Sequence, residues 1–171
     1  SMVRGNGLSS FDIASQYART LSAECCYLIA PRVVDSAEIA TDLRQRSDIQ
    51  AALAIAGEAD ISLLGVDDLS RASTLFGSGQ MTEKELADLR DTGAVCTLQG
   101  VALDAQGAII DNPLAARTVG IEPARFVRCP RRIVAAAGRR KAKSIRAMVK
   151  GGHCNILVTD EPTANDILEL D

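Results

Sequence analysis

One segment near the carboxyl end of the chain constrains the fold most. Residues 133–137 form an apolar run of strand length, Gly138 allows a tight turn, and three cationic side chains follow in residues 139–141. A second apolar run fills residues 156–158 and leads into Thr159. This order predicts a strand, a turn, a helix and a second strand that is parallel to the first.

The predicted turn at Gly138 is a candidate anion-binding site. The first N–H groups of a helix lack partners within the helix, and the helix dipole is positive at that end. Lys141 lies three residues after Gly138, where the helix should begin, and we expect its ammonium group to hold a phosphate or a sugar acid. The alternative is that the cations of this segment form only the solvated face of a surface helix. These cations are Arg139, Arg140, Lys141, Lys143, Arg146 and Lys150.

Composition fits one α/β domain. The chain has 171 residues, 47% of them hydrophobic but only 3% aromatic, so the core is built mainly from Ala, Val, Ile and Leu. Such a core suits buried parallel strands. The formal net charge of −3 argues against a chain that binds nucleic acid by itself.

The five cysteines indicate the cellular compartment. Their number is odd and none are in C-x-x-C spacing, which is typical of neither a disulfide framework nor a zinc site. We therefore expect reduced thiols and a cytoplasmic location. We also expect no export signal and no membrane contact, because the apolar runs are far shorter than the roughly 20 residues that a spanning helix needs.

Periodicity and cap residues predict the remaining elements. The first predicted helix is capped by Ser9 or Ser10 and has its apolar positions between Ile13 and Leu21. Further helices are predicted at residues 36–44, 48–56 and 82–91, with a final helix from Pro162. The first should pack its apolar side against a sheet, and Ser47 should cap the third. Further strands are predicted at residues 26–29 and 61–64, a loop at 65–80, and a hairpin over 95–110. The expected fold is a Rossmann-like three-layer α/β domain with a mostly parallel sheet and an antiparallel hairpin insertion.

Several short motifs occur in a fixed order along almost the whole chain. They are Arg4-Gly5, Ala30-Pro31, Leu64-Gly65-Val66, Gly93-Ala94-Val95, Asp104-x-x-Gly107, Ala136-Ala-Gly-x-x-Lys-x-x-x-Ile145, Gly151-Gly152 and Leu157-Val-Thr-Asp-Glu-x-Thr-Ala164. Together they resemble the C-terminal end of the sugar-binding domain in SorC/DeoR-type bacterial transcriptional regulators. The resemblance implies a fold akin to ribose-5-phosphate isomerase and glucosamine-6-phosphate deaminase.

The resemblance also implies a function. It predicts an effector-sensing domain that binds a sugar or sugar phosphate, uses no cofactor, and controls how the full-length regulator binds operator DNA. Such regulators carry an N-terminal helix-turn-helix domain and a first α/β unit with a phosphate loop, and neither pattern occurs here. Residues 3–171 are therefore expected to be a partial effector domain that contacts DNA only through the missing domain. Association as a homodimer or homotetramer is expected.

The candidate effector-binding residues are selected by two criteria, their predicted position in the sheet and this resemblance. Ligands of open parallel sheets gather at the carboxyl ends of the strands, where Gly65 and Gly138 lie. The resemblance implies that Lys141 and Arg4 contact the effector, although Arg4 could instead be a solvated arginine near the end of the chain. Thr97 takes a position where the family commonly has an acid, and Ser78 stands where some members that bind phosphorylated sugars have an arginine. The effector is therefore expected to differ from a sugar bisphosphate. The full candidate set is Lys141, Arg4, Thr97, Gly65, Gly138 and Asp104.

Other chemistries have weaker support. An isomerase or deaminase would use Lys141 as electrophile and Asp104 or Asp160 as base, but Asp104 is also a typical turn residue and Asp160 a typical residue at a helix start. The pair Asp67-Asp68 has the ligand type for a divalent ion, or forms a solvated loop. His153 beside Cys154 has no partners at suitable spacing, and no hydrolase or nucleotide motif occurs. We predict no enzyme activity, no cofactor and no metal.

Overall fold

The computed structural model describes residues 10–170. The helices are α1 (Ser10–Leu21), α2 (Ala37–Gln45), α3 (Ser47–Gly57), α4 (Thr74–Gly77), α5 (Glu83–Asp91), α6 (Pro113–Ala116), α7 (Pro123–Phe126), α8 (Ala142–Lys150) and α9 (Glu161–Leu168), with a 3-10 helix at Arg139–Lys141. The strands are β1 (Ile61–Leu64), β2 (Asp67–Asp68), β3 (Cys96–Leu98), β4 (Val101–Leu103), β5 (Ile109–Ile110), β6 (Arg131–Ala135) and β7 (Ile156–Val158). Within the described range, none of the helices combines the length and apolar character needed to cross a bilayer.

A parallel sheet has the order β1-β6-β7 and positions the predicted turn. β6 lies in the middle, with Leu63 opposite Ile133 on one side and Ile133 opposite Ile156 on the other. The chain passes from β6 through the 3-10 helix and α8 into β7, which confirms the predicted strand, turn, helix and strand. Parallel pairing requires such a crossover, because a short hairpin cannot return the chain in the same direction. The Rossmann-like α/β fold class is thus confirmed.

An antiparallel sheet of order β2-β3-β4-β5 is larger than the predicted hairpin. Asp67 pairs with Thr97, and Cys96 pairs with Leu103. The predicted turn of residues 104–107 between β4 and β5 is present. The additional strand β2 lies in a segment predicted as loop, and its two residues are too few to show a periodic pattern.

The two sheets and α8 share the main apolar core. Val134 of β6, Ile145 of α8 and Cys96 of β3 are at most 1% exposed and belong to this core. A second core lies between the antiparallel sheet and helices α4 to α6, where Ala102 and Leu86 are buried. The helix α8 therefore contacts both sheets, which fixes the turn at its amino end relative to β2 and β3.

The segment before α2 differs from the prediction. The helix α1 is confirmed, but Tyr17 is 51% exposed and Leu21 is 71% exposed, so the expected packing of this helix against a sheet is wrong. Residues 26–29 form no strand, and Ile29 is 83% exposed. A strand needs a neighbouring backbone to accept its ladder of hydrogen bonds, and the apolar run alone does not supply one. The segment instead contacts α1 through the rings of Phe11 and Tyr27, whose centroids are 5.3 Å apart.

Two of the predicted helix starts are confirmed and two differ by one residue. Thr82 and Glu85 form the predicted capping box of α5. Ser36, predicted as the first residue of a helix, instead caps α2 by accepting the N–H of Ile39. Pro162 lies in the first turn of α9 as predicted. Ser47, however, is the first residue of α3 and not its cap. The helix begins one residue earlier than the sequence suggested.

The buried thiol of Cys96 is predicted to resist alkylation. All five cysteines are free thiols; Cys25 and Cys26 are exposed, while Cys96 is fully buried. Burial raises the pKa of Cys96 to about 12, so at pH 8 roughly one molecule in ten thousand carries its thiolate. We expect iodoacetamide to modify Cys25 and Cys26 at least about 100-fold faster than Cys96, measured by peptide mass spectrometry. Comparable rates under native conditions would contradict this burial.

Candidate functional site

The turn after β6 is held in a defined conformation. Gly138 has φ 111° and ψ 133°, a backbone conformation that favours glycine. Its N–H donates to the hydroxyl oxygen of Thr163 at 2.7 Å, and Thr163 is 1% exposed. The chain then forms the 3-10 helix, with the N–H of Lys141 donating to the carbonyl of Gly138 at 2.8 Å. α8 begins only at Ala142, so a tighter turn occupies the place predicted for its first residues.

The three cations of the turn have different surroundings. Arg139 forms an ion pair with Asp166 at 3.4 Å, and Arg140 forms one with Asp68 at 3.0 Å. Lys141 is half-buried, and its ammonium has no hydrogen-bond or ion-pair partner within residues 10–170. The charge of Lys141 is thus the one that the turn leaves uncompensated in this part of the chain.

The contact between Arg140 and Asp68 joins the turn to the antiparallel sheet. The side chain of Asp68 is 9% exposed, and its carboxylate also accepts a hydrogen bond from the hydroxyl of Ser70 at 2.8 Å. A buried carboxylate needs such partners because desolvation of an unpaired charge is costly. Sequence reasoning missed this ion pair, because nothing in a loop of residues 65–80 indicates that Asp68 would lie against Arg140.

Asp67 and Asp68 do not act as one pair. Successive side chains of a strand point to opposite faces, and Asp67 uses its Oδ2 to accept the N–H groups of Thr74 at 2.7 Å and Leu75 at 3.3 Å. These bonds fix the start of α4. Within residues 10–170, no group of three or more His, Cys, Asp or Glu side chains is arranged to hold a metal ion.

Thr97 pairs with Asp67 of β2, and Gly65 lies in the chain between β1 and β2. Thr97 is 8% exposed, and its hydroxyl has no hydrogen-bond partner in the described part of the chain. Its neighbour Cys96 faces α8, where the sulfur lies 3.9 Å from the carbonyl of Ser144, so Thr97 faces the other side of the sheet. Gly65 follows β1 directly and is exposed, and a Cβ added there would meet no atom within 4 Å. Gly65 thus leaves open space beside the end of β1.

The remaining candidates lie elsewhere. Asp104 uses its Oδ1 to accept the N–H groups of Gln106 at 2.8 Å and Ala108 at 2.9 Å, which gives it the role of a turn residue. That turn packs through Gly107 against Gly151, just beyond the carboxyl end of α8, whereas Lys141 lies at the amino end. Arg4 lies outside the described residues. The structure therefore brings the 3-10 helix that contains Lys141 against β2. Gly65 precedes β2 in the chain, and Thr97 pairs with β2 but points away from α8.

Asp160 and His153, which the sequence offered for catalysis or metal binding, instead form hydrogen bonds that hold the fold together. Asp160 caps α9, and hydrogen bonds from Thr163 lower the pKa of its carboxyl group, which makes it a weaker base. His153 is buried, and its Nε2 lies 2.8 Å from the carbonyl of Gly107, a contact that ties the turn of residues 104–107 to the end of α8.

One cleft lies beside the turn, and another lies against α2, α3 and α7. A cleft of about 400 Å³ lies beside the turn and is lined by Arg139, Arg140, Ala142, Lys143, Asp166, Glu169 and Leu170. A second, of about 410 Å³, is lined by Arg44, Gln50, Leu53, Gly120, Ile121, Glu122 and Arg125. Lys141, Thr97 and Gly65 line neither cleft.

The ion pair between Arg140 and Asp68 is expected to stabilise the fold more than the ion pair between Arg139 and Asp166. Arg140→Ala leaves the buried carboxylate of Asp68 without its counter-charge, so we expect the free energy of unfolding to fall by about 1–2 kcal/mol. Arg139→Ala is the matched control, because the side chain of Arg139 is 88% exposed and its loss should cost less than about 0.5 kcal/mol. Urea unfolding of both variants measures the difference, and equal values would contradict this assignment.

A Rossmann-like sheet with polar loops gathered at its strand ends defines a class of small-molecule-binding α/β domain. Comparison with known proteins identifies the family within that class. The family described as "Putative sugar-binding domain" matches residues 2–169 of this chain. The chain belongs to this family, the regulatory sugar-binding domains of SorC/DeoR-type transcriptional regulators.

Relatives with curated names agree with this assignment. The transcriptional regulator LsrR of Klebsiella pneumoniae is 32% identical over 155 residues, which cover 88% of this chain and 48% of that protein. The deoxyribonucleoside regulator of Bacillus subtilis is 29% identical over 144 residues, 83% of this chain and 45% of that protein. The chain thus spans about half the length of these relatives.

Solved structures show the same fold. A DeoR family transcriptional regulator from Listeria monocytogenes matches with a TM-score of 0.87 at 22% identity, over 96% of this chain and 67% of that one. The full-length sorbitol operon regulator SorC of Klebsiella pneumoniae matches with a TM-score of 0.81 at 23% identity, over 89% of this chain and 49% of that one.

Proposed function

We propose that this chain is the effector-sensing part of a bacterial transcriptional regulator and binds a sugar or sugar phosphate. The observation that carries the proposal is the uncompensated, half-buried ammonium of Lys141 at a turn fixed by Gly138. An anionic group on a ligand would form the ion pair that the Lys141 ammonium lacks within residues 10–170. Because the chain belongs to a family of sugar-binding domains, we propose that the rest of the ligand, beyond its anionic group, is a sugar.

Effector binding would change operator affinity through a separate DNA-binding part of the full-length protein. A ligand changes operator affinity only when it binds two states of the regulator with different affinities. The net charge of −3 supports DNA contact outside this chain. We propose that the regulator works in the cytoplasm and that effector binding requires no cofactor.

The proposal is one of binding without catalysis. An isomerase or deaminase needs a general base within reach of its substrate. The two carboxylates considered for that task, Asp104 and Asp160, both accept N–H groups of their own segments. These bonds give each a structural role and support a binding function.

A thermal-shift screen with the full-length protein tests the function. Sugars and sugar phosphates are added singly, and operator affinity is measured by fluorescence anisotropy for each compound that raises the melting temperature. We expect at least one anionic sugar to raise the melting temperature and to change operator affinity by at least about 5-fold, within the usual range of allosteric coupling. No shift from any compound, together with unchanged operator affinity, would contradict the proposal.

We also propose that the complete effector domain has a further layer on the parallel sheet. Ile61 and Leu63 of β1 and Ile156 and Val158 of β7 lie on one face of this sheet and are 40–56% exposed. Parallel sheets are normally covered on both faces, which supports residues 3–171 being a partial domain. The dye 8-anilinonaphthalene-1-sulfonate should fluoresce strongly with residues 3–171 and weakly with the full-length protein. Equal fluorescence would count against a covering layer.

Association of these domains as a homodimer or homotetramer completes the proposal. The half-exposed apolar side of α1, which includes Phe11, Ile13 and Tyr17, supports it. Sedimentation equilibrium of the full-length protein should give two or four times the monomer mass, and a monomer at micromolar concentration would contradict association.

A further inference from the structure

The turn that carries Lys141 is attached to two separate parts of the fold. On one side it packs against α9, where the N–H of Gly138 donates to the hydroxyl oxygen of Thr163 at 2.7 Å. On the other side it packs against β2, where the guanidinium of Arg140 forms an ion pair with Asp68 at 3.0 Å. The turn therefore bridges α9 and the antiparallel sheet.

The carboxylate of Asp68 is a fixed anchor for this bridge. Asp68 lies opposite Cys96 in the register of β2 and β3, and directly opposed residues have their side chains on the same face. Cys96 faces α8, where its sulfur lies 3.9 Å from the carbonyl oxygen of Ser144, so Asp68 also faces α8. Its side chain is 9% exposed, and the hydroxyl of Ser70 donates to it at 2.8 Å. The carboxylate is thus held in place independently of Arg140.

Arg140 transmits this anchoring to Lys141 because the two residues are neighbours in one tight turn. The 3-10 helix contains only residues 139–141, and the N–H of Lys141 closes it by donating to the carbonyl oxygen of Gly138 at 2.8 Å. In this turn the side chain of Arg140 is 58% exposed, whereas Lys141 is half-buried. A backbone shift at Arg140 therefore changes the direction in which the ammonium of Lys141 points.

We propose that Arg140 is a positioning residue for effector binding. Its ion pair with Asp68 holds the turn so that Lys141 stays half-buried and directed at the anion, while the guanidinium itself makes no contact with the effector. A turn that is ordered before binding reduces the entropy lost when the ligand binds. The affinity for the anion therefore depends on a contact with the antiparallel sheet. This inference rests on the proposed sugar-binding function and deepens it.

Local charge and positioning make different predictions for two variants. Arg140→Ala removes a positive charge, whereas Asp68→Asn removes a negative charge and leaves Arg140 unpaired. If only charge mattered, the two variants would change the affinity for an anion in opposite directions. If the ion pair positions Lys141, both variants weaken binding. The double variant then loses no more affinity than the single variants, because all three break the same contact.

Reductive methylation of the ligand-free, full-length protein tests the positioning directly. The rate at Lys141 is measured by peptide mass spectrometry, well below the melting temperature, in the natural protein and four variants. The variants are Arg140→Ala, Asp68→Asn, the combination of both, and Arg139→Ala. The last is the matched control, because the side chain of Arg139 is 88% exposed. The exposed Lys84 and Lys150 are internal references. A loss of stability alone leaves the rate at Lys141 relative to theirs unchanged.

We expect Lys141 to be methylated at least about threefold faster in Arg140→Ala, in Asp68→Asn and in the double variant, with no additional gain in the double variant. Arg139→Ala should stay within about 1.5-fold of the natural protein, as expected for an exposed ion pair. A rate at Lys141 that is unchanged in the two single variants, or that moves in opposite directions in them, overturns the positioning role.

Calorimetric titration with fructose 6-phosphate extends the test to affinity. The two single variants and the double variant should raise the dissociation constant by a similar factor, about threefold or more. Tighter binding to Asp68→Asn would show that the released guanidinium contacts the anion, and it would overturn the positioning role while the sugar-binding function stands. If the natural protein does not bind this sugar phosphate, the methylation rates decide the role of Arg140, and the thermal-shift screen decides the function separately.

Discussion

Replacement of Lys141 by alanine is expected to abolish most of the affinity for anionic sugars. The ammonium has no partner within residues 10–170, so its interaction energy is available to a ligand. A charge-assisted hydrogen bond contributes about 1–3 kcal/mol, which corresponds to a roughly 5- to 150-fold rise in Kd. Calorimetric titration of the full-length protein with fructose 6-phosphate measures this change.

The control for Lys141 lies two residues further along. Lys143 is an exposed cation near the start of α8, so Lys143→Ala changes the net charge by the same amount. If long-range attraction alone holds the anion, both variants should lose affinity equally and the loss should vanish at high salt. If Lys141 contacts the anion, Lys143→Ala should remain within about twofold of the natural protein. Equal losses in the two variants would remove Lys141 from the site.

The second large effect is expected at Gly107, which joins the turn of residues 104–107 to the end of α8. Its φ is +78°, and an added Cβ would overlap the carbonyl oxygen of Ala147 and approach Gly151 to 2.5 Å. Left-handed backbone costs a non-glycine residue about 1–2 kcal/mol, and overpacking adds about 1–3 kcal/mol. We expect Gly107→Ala to lower the unfolding free energy by about 3 kcal/mol, or the melting temperature by roughly 6–12 °C.

The substitution Gly79→Ala separates the backbone contribution to this loss of unfolding free energy from the contribution of overpacking. Its φ of +72° is similar, but no atom lies within 4 Å of an added Cβ. Gly79→Ala should therefore lose only the backbone contribution of about 1–2 kcal/mol. Differential scanning calorimetry of both variants gives the comparison. A loss for Gly107→Ala no larger than that for Gly79→Ala would show that the turn does not pack against α8 as described.

Local signals in the sequence predicted much of this fold. The capping box at Thr82 and Glu85 fixed the start of α5, because both of its hydrogen bonds lie within four residues. The apolar runs of β1, β6 and β7 and the helix between the last two indicated the parallel sheet. The strand predicted at residues 26–29 failed because an apolar run carries no information about the neighbour with which it must pair.

The candidate site was less accessible to sequence reasoning. Gly138 and Lys141 could be chosen because a turn and its following residues are contiguous in the chain. The contact between Arg140 and Asp68 joins residues that are 72 positions apart, and the pairing of Asp67 with Thr97 depends on the register of a two-residue strand. Asp104 was chosen from a motif, and its carboxylate is used by the turn that the same motif forms. Long-range pairing of short elements leaves no periodic signal.

The central claim is that Lys141 holds the anionic end of the effector. Reductive methylation of the full-length protein, with and without saturating fructose 6-phosphate, tests it at single-residue resolution by peptide mass spectrometry. Lys84, Lys143 and Lys150 are exposed and serve as internal controls. We expect the sugar phosphate to slow methylation of Lys141 at least tenfold and to leave the three controls unchanged. Bound fructose 6-phosphate with undiminished methylation of Lys141 would contradict the account.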